Sequence, residues 1–353
     1  MDSNLGINNT ALVTPYFIPR PSKKRRNLGD GFIKAAIERR IGEFKSDLTF
    51  STREEPSKSE VRRLISAGTV IIGGANMLSD DFSPWPNFDV DLLSDDRLRF
   101  FPFGIGINGI PKRNRGFTRK ASEIIKGIHR NIEYSSWRCP NTISILEASF
   151  PELKGRFVMT GCPVIYDSPI FQKQKFHEGI KKVAVTITER DDFFEREYLT
   201  LIDVKRSFPN ADKFLVLHQD FRPKSFVQSA LMKSKDKVYL RRIEVLHQLA
   251  RDMGYSIIAP KTELECRQFY EGIDIHVGSR LHAHLNFLSR NKRSFLTYVD
   301  DRCLGFSEFY RFPLITPGSL EEHLDFDFEI VRGKVFESWR NMRKFLEQLP
   351  GVA

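Results

Sequence analysis

An α/β fold in two halves, each a largely parallel sheet flanked by helices, is what this sequence predicts. Three observations carry it. Short apolar runs alternate with amphipathic stretches of helical spacing through both halves of the chain. The clearest run, Thr69-Val70-Ile71-Ile72, is β-branched, continuous and stopped by Gly73-Gly74, the pattern of a strand buried on both faces. The 353 residues suffice for two domains, since a domain takes about 100–200.

The first half opens on a helix in which Phe32, Ala36, Ile37 and Ile41 recur behind the turn Asn27-Leu28-Gly29-Asp30. After the strand at Thr69–Ile72, the run Phe100–Phe103 leads to a second glycine-rich turn. Helical spacing from Thr118 to His129 places Ile124, Ile125 and Ile128 on one face. A short strand (Ile132–Ser135), a helix (Asn141–Phe150) and a strand (Arg156–Met159) close this half near Cys162-Pro163. In the second half, strands are expected at Val183–Ile187, Phe214–Leu217, Ser256–Ile258 and Ile273–Val277. Helices are expected at Tyr198–Phe208 and at Val238–Met253, the latter stopped by Gly254. A last helix, Lys334–Leu349, carries Val335, Trp339, Met342, Leu346 and Leu349 on one stripe. The expected organisation is a basic arm over 1–26, a first domain over 27–167, and a second domain over 168–353 that includes the last helix.

Fifty-five Lys and Arg against forty-five Asp and Glu leave a net charge of +10. Such a surface fits nucleic acid, an anionic membrane face or small phosphorylated substrates. The densest run, Lys23-Lys24-Arg25-Arg26, lies in the N-terminal arm and reads as a solvated segment. No RNA-binding aromatic signature or zinc-finger spacing occurs, so nucleic acid is not expected. No apolar stretch has the length of a membrane span, and no secretory leader is recognised. Cys139, Cys162, Cys266 and Cys303 are scattered without a CxxC pair, which fits a reducing, cytoplasmic setting.

The most informative stretch is Val277-Gly278-Ser279-Arg280-Leu281-His282-Ala283-His284. A strand ends at Val277, and Ser279 suits the N-cap of a helix running to about Arg290. Leu281, Leu285 and Leu288 then face the core, leaving Arg280 first and His282 third in the helix, beside unpaired backbone N–H groups. A cation there opposes the helix dipole, so Arg280 calls either for a bound anion or for a nearby Asp or Glu. His282 and His284 are two apart, which does not suit a metal on one helical face.

Gly104-Ile105-Gly106-Ile107-Asn108-Gly109 matches GxGxxG, but Pro111 and a basic run follow where a dinucleotide fingerprint has an apolar helix; the glycines read as a close-approach turn. Arg138 lies in the strand-to-helix turn Trp137-Arg138-Cys139-Pro140-Asn141-Thr142, either at a ligand edge or stacked on Trp137. Cys139 lacks a recognisable His partner and reads as a structural thiol.

In order, these segments resemble the polysaccharide pyruvyltransferase family over about Asn27 to Phe312. The carriers are Asn27–Asp30, Val70–Leu78, the turn at Gly104–Gly109, Trp137–Thr142, Thr160–Pro163, Val277–Ala283 and Asp300–Phe306. The resemblance implies two Rossmann-like domains facing one another across a cleft, glycosyltransferase-B-like, with the acceptor on the first and phosphoenolpyruvate on the second. It implies transfer of the pyruvyl group of phosphoenolpyruvate onto two hydroxyls of a cell-surface or exopolysaccharide sugar as a cyclic ketal, releasing phosphate, with no cofactor or metal. The sugar acceptor would be a polymer or a lipid-linked oligosaccharide, and the basic surface would allow peripheral contact with the inner face of the membrane.

Arg280, His282 and Arg138 would serve the donor, His282 as general acid. Asn27, Gly29, Asp30, Gly73, Gly74, Asn76, Gly106, Arg190, Ser279 and Arg302 would line the substrates. The chain departs from the family pattern at Cys139, where Asp is frequent, at Ala75, where a third glycine is, and at Arg302, where Lys is typical. Two rival expectations are a nucleotide-sugar glycosyltransferase and a non-catalytic anion- or nucleic-acid-binding protein.

Overall fold

The computed structural model describes residues 9–16, 27–107, 116–172, 174–188, 191–219 and 234–351. Its strands are β1 (Thr10–Thr14), β2 (Thr49–Ser51), β3 (Thr69–Gly73), β4 (Asn76–Leu78), β5 (Arg99–Phe103), β6 (Gly106–Ile107), β7 (Ser135–Trp137) and β8 (Phe157–Met159) in the first half. The second half holds β9 (Lys182–Thr186), β10 (Asp212–Val216), β11 (Tyr255–Ile258), β12 (Ile275–Gly278), β13 (Ser294–Thr297) and β14 (Leu314–Ile315). Helices α1 (Leu28–Ile41), α2 (Lys58–Ala67), α3 (Arg119–Asn131) and α4 (Pro140–Ser149) precede the junction turn α5 (Ser168–Phe171). Beyond it come α6 (Phe194–Ser207), α7 (Ser234–Asp252), α8 (Glu263–Glu271), α9 (Leu281–Leu288), α10 (Asp301–Tyr310), α11 (Leu320–His323) and α12 (Glu329–Leu346).

Every strand pairing among the described residues is parallel. The first sheet runs β2-β1-β3-β5, and a bridge from Ile105 to Trp137 carries it on to the β7-β8 pair. The second runs β11-β10-β9-β12-β13-β14. Parallel sheets need crossover helices on both faces, so their strands are buried throughout, as at Val70–Ile72 and Val183–Val185. The fold is the expected α/β class: two parallel, helix-flanked Rossmann-like sheets, one in each half of the chain.

Several boundaries differ from expectation. Thr10–Thr14, assigned to a flexible arm over 1–26, is a fully buried strand between β2 and β3, so the first domain begins earlier than residue 27. The basic run Lys23–Arg26 lies outside the described residues. Asn27–Asp30 is the start of α1 and not a turn before it: Asn27 is the N-cap, its Oδ1 accepting from Gly29 N at 3.1 Å. The strand expected at Ile132–Ser135 is displaced to β7, where Trp137 reaches the core.

The last helix, placed with the second domain, packs on the first sheet. Phe345 meets Phe101 and Phe103 with ring centroids 6.4 and 5.0 Å apart, and Asn341 donates to Met159 O at 2.9 Å. Apolar burial of this size drives the return; a fully buried Phe contributes roughly 1.5–3 kcal/mol relative to exposure. At the junction, the Tyr166 hydroxyl meets the Thr160 carbonyl and Ser338 Oγ (2.7 Å), tying first sheet, linker and last helix together.

Candidate active site

The turn from β12 into α9 is held against the end of β9. Gly278 has φ +140°, and a Cβ there would stand 2.1 Å from Thr186 O, so only glycine fits. Ser279 N donates to Thr186 O at 3.0 Å. Arg280, not Ser279, is the N-cap residue, which moves His282 to the second helical position. Leu281, Leu285 and Leu288 are buried as their spacing predicts. The Arg280 guanidinium donates to Ile187 O (2.8 Å) and Thr188 O (3.3 Å), the carbonyls just beyond β9. Burial, with the field of Arg302 added, lowers its pKa to about 9.

His282 projects toward α1 of the first layer. A Cβ built on Gly29 would lie 2.6 Å from His282 Nδ1, a contact that only a hydrogen on Gly29 permits. The first layer's helix is in turn docked on the second: Leu28 N donates to His218 O at 3.1 Å, and Phe32 stacks on the His218 ring at 5.7 Å. His282 Nε2 is buried without a hydrogen-bond partner. Burial, then Arg138, Arg302, His218 and Arg280, push its pKa well below the ordinary imidazole range. These influences favour the neutral form of the ring.

Arg138, at the end of β7, comes from the first layer and is 1% exposed. Its Nε donates to Gly104 O (3.2 Å) and its Nη1 to Asn76 Oδ1 (2.7 Å), while Nη2 is buried with no partner. Gly106 lies flat beneath it: an added Cβ would be 3.3 Å from Arg138 Cδ. Arg302, in the first turn of α10, is gripped by Asp300 through a two-bond fork of 2.8 and 2.5 Å. Asp30, in the first turn of α1, accepts from Arg53 at 3.0 Å. Burial raises the Asp30 pKa against the opposing pull of Arg53, Arg138 and Arg302.

Five of the residues singled out in the sequence thus gather from both layers: Asp30 and Arg138 from the first, Arg280, His282 and Arg302 from the second. Their mutual fields appear in one another's titration. Asn27, Gly29, Asn76 and Gly106 border the cluster. The other positions are differently employed. Gly73 packs under Leu12 and Ile37, and Gly74 lets β3 approach the Gly104 backbone. The Ser279 hydroxyl turns to β9. Arg190, Asn108 and Gly109 lie outside the described residues. Cys139 Sγ sits 3.1 Å from Thr142 Oγ1 against Gly305, as suits a structural thiol, and all four cysteines are free and buried.

Sequence reasoning passed over His218, Arg53 and Thr186. His218 carried a usable signal, since it directly follows an apolar strand at the carboxyl edge where open parallel sheets bind ligands. Chemically, three guanidinium groups against the two carboxylates of Asp30 and Asp300, with Arg138 Nη2 buried and unpartnered, make an anion site. No helix among the described residues is long and apolar enough to cross a membrane.

No family model and no curated protein matches the chain. Among solved structures it is similar to the Neisseria meningitidis UDP-GlcNAc 2-epimerase bound to UDP-GlcNAc, with TM-score 0.46, 10% identity, and 96% of this chain and 98% of that one covered. S. aureus MnaA with UDP gives TM-score 0.41 at 13% identity, covering 98% and 92%. The Glycosylation Associate Protein (Gap123) complex from Streptococcus agalactiae gives 0.43 at 9% identity, covering 79% of this chain; the chain spans about half, 53%, of that one.

Proposed function

We propose that the protein is a glycan-modifying transferase whose donor carries phosphate, and that the donor is phosphoenolpyruvate, its pyruvyl group passing to two hydroxyls of a sugar as a cyclic ketal. The observation that carries this reading is the convergence of Arg138, Arg280 and Arg302 on His282, with Arg138 Nη2 and His282 Nε2 both buried and unpartnered. A three-carbon donor with a carboxylate and a phosphate supplies acceptors for those donors. Its negative charge also opposes the arginine field that keeps His282 neutral, favouring imidazolium once the donor is bound. His282 would then give its proton to the donor's methylene carbon as one sugar hydroxyl adds to the central carbon. Loss of phosphate and addition of the second hydroxyl complete the ketal. Of the two hydroxyl protons, one restores the proton that His282 gave to the new methyl group and the other ends on phosphate. Asp30, turned toward the same cluster, is the group placed to receive a hydroxyl proton.

A nucleotide-sugar glycosyltransferase is the second reading. It is favoured by the crevice at the carboxyl ends of β9, β10 and β12, where doubly wound sheets take nucleotides, and by the match of a diphosphate to the same charge. Phosphate release from phosphoenolpyruvate across a panel of hexosides tests the choice. Acceptor-dependent release supports pyruvyl transfer. No release, with thermal stabilisation by a nucleotide sugar and none by phosphoenolpyruvate, supports the second reading.

A further inference from the structure

Behind the anion cluster, buried polar groups form an unbroken line. Arg280 N donates to Thr186 Oγ1 at 3.2 Å, and Thr186 Oγ1 lies 2.7 Å from His276 Nε2. His276 Nδ1 is 2.7 Å from Ser294 Oγ, which is 2.8 Å from His284 Nδ1. The line crosses three strands and a helix, because the parallel register sets His276 of β12 opposite Ser294 of β13 and Gly278 opposite Thr186 of β9. Thr186, His276 and His284 are 0% exposed and Ser294 1%. Burial holds both imidazoles neutral, His284 with a pKa of about 3 and His276 well below the usual range.

Counting protons gives the line a direction. A neutral imidazole carries one N–H, so, setting aside the one in which both imidazoles donate to Ser294 and strand its hydroxyl proton together with the His284 Nε2 lone pair, two arrangements supply a proton to each of the three side-chain contacts. In one, His284 donates to Ser294, Ser294 to His276, and His276 Nε2–H to Thr186. That arrangement leaves the Thr186 hydroxyl proton without an acceptor and the His284 Nε2 lone pair empty. In the other, Thr186 donates to His276 Nε2, His276 Nδ1–H to Ser294, and Ser294 to His284 Nδ1. Only His284 Nε2–H is then left over, on a ring packed against Phe312 with centroids 4.3 Å apart at 63°. Each unmet buried group costs stability, so the second arrangement prevails.

The geometry points to a polarised hydrogen-bond chain, Arg280 N–H to Thr186 to His276 to Ser294 to His284, that positions the Arg280–His282 turn and fixes His276 as its Nδ1–H tautomer. A hydroxyl that donates is a stronger acceptor, so the direction tightens the grip on the Arg280 amide. Thr186, His276 and Ser294 are thus positioning residues. That Arg280 and His282 need such holding rests on the donor reading above; the chain and its direction do not.

The test uses the unliganded full-length protein, so its failure is separate from any failure of the donor reading. Imidazole nitrogen NMR, assigned with Ser294→Ala, is expected to show His276 protonated on Nδ1 and His284 on Nε2. Thr186→Val is isosteric but cannot accept, and amide exchange at Arg280 should quicken about tenfold; Thr186→Ser should restore protection. His276 protonated on Nε2 would overturn the direction. Equal Arg280 exchange in Thr186→Val and the wild type would overturn the positioning role.

Discussion

Gly29 and His282 meet across the two layers with no room for a methyl group, the imposed Cβ falling 2.6 Å from the imidazole Nδ1. A ring so placed is oriented by the backbone of the opposite layer. Gly29→Ala should therefore swing it aside. A misplacement of this kind costs about two decades of turnover, with melting temperature little changed. Phosphate release by Gly29→Ala at the wild-type rate would show that the contact has no part in orientation.

His282→Ala should fold and lose about two to four decades of turnover, the usual yield of a general acid. The ring's depressed pKa adds a signature. It is neutral when the site is empty and favoured as imidazolium beside a dianion, so donor binding takes up a proton and tightens as pH falls toward the bound-state pKa. Calorimetry in buffers of different ionisation enthalpy measures that uptake. Uptake undiminished in His282→Ala would assign the proton elsewhere.

Arg138→Ala removes a buried guanidinium whose Nη2 has no protein partner, and phosphoenolpyruvate affinity should fall about ten- to a hundredfold. Arg138→Lys should recover only part, because an ammonium cannot bond Gly104 O, Asn76 Oδ1 and a ligand in one plane. Unchanged affinity in Arg138→Ala by calorimetry would remove this residue from the donor site.

Acid should unfold the protein early. Burial holds His129, His218 and His284 at pKa values of about 3, with His276 and His282 also well below the usual range. The unfolded chain takes up these protons near ~6.5 and the folded chain does not, so stability falls as pH drops below that value. Each such group contributes about 1.4 kcal/mol per pH unit until its folded pKa is reached. Urea melts at pH 7.5, 6 and 5 should show steep loss; equal midpoints would contradict the buried neutral histidines.

The sequence was most readable where structure is local. The runs at Thr69–Ile72 and Val183–Thr186 are strands because a short run rich in β-branched residues fits little else, and Leu281, Leu285 and Leu288 marked α9 as a core helix, all eight of whose residues are buried. The cluster was readable in part because Arg138, Arg280 and His282 each sit where a strand hands over to a helix. What was missed is set by distant pairing. Thr10–Thr14 is five residues in a stretch that reads as a tail, and only its register with Thr49–Ser51 and Thr69–Ile72 makes it central. The stripe on α12 was visible, but periodicity does not say which sheet it covers. Thr186 and His276 meet through strand register alone, 90 positions apart in the sequence.

The most direct measurement is a crystal structure with phosphoenolpyruvate soaked in. If the arginine cluster holds the donor, density for its phosphate and carboxylate will lie between Arg138 and Arg280, with the methylene carbon facing His282 Nε2. Donor density elsewhere, or an empty cluster at saturating donor, would contradict it.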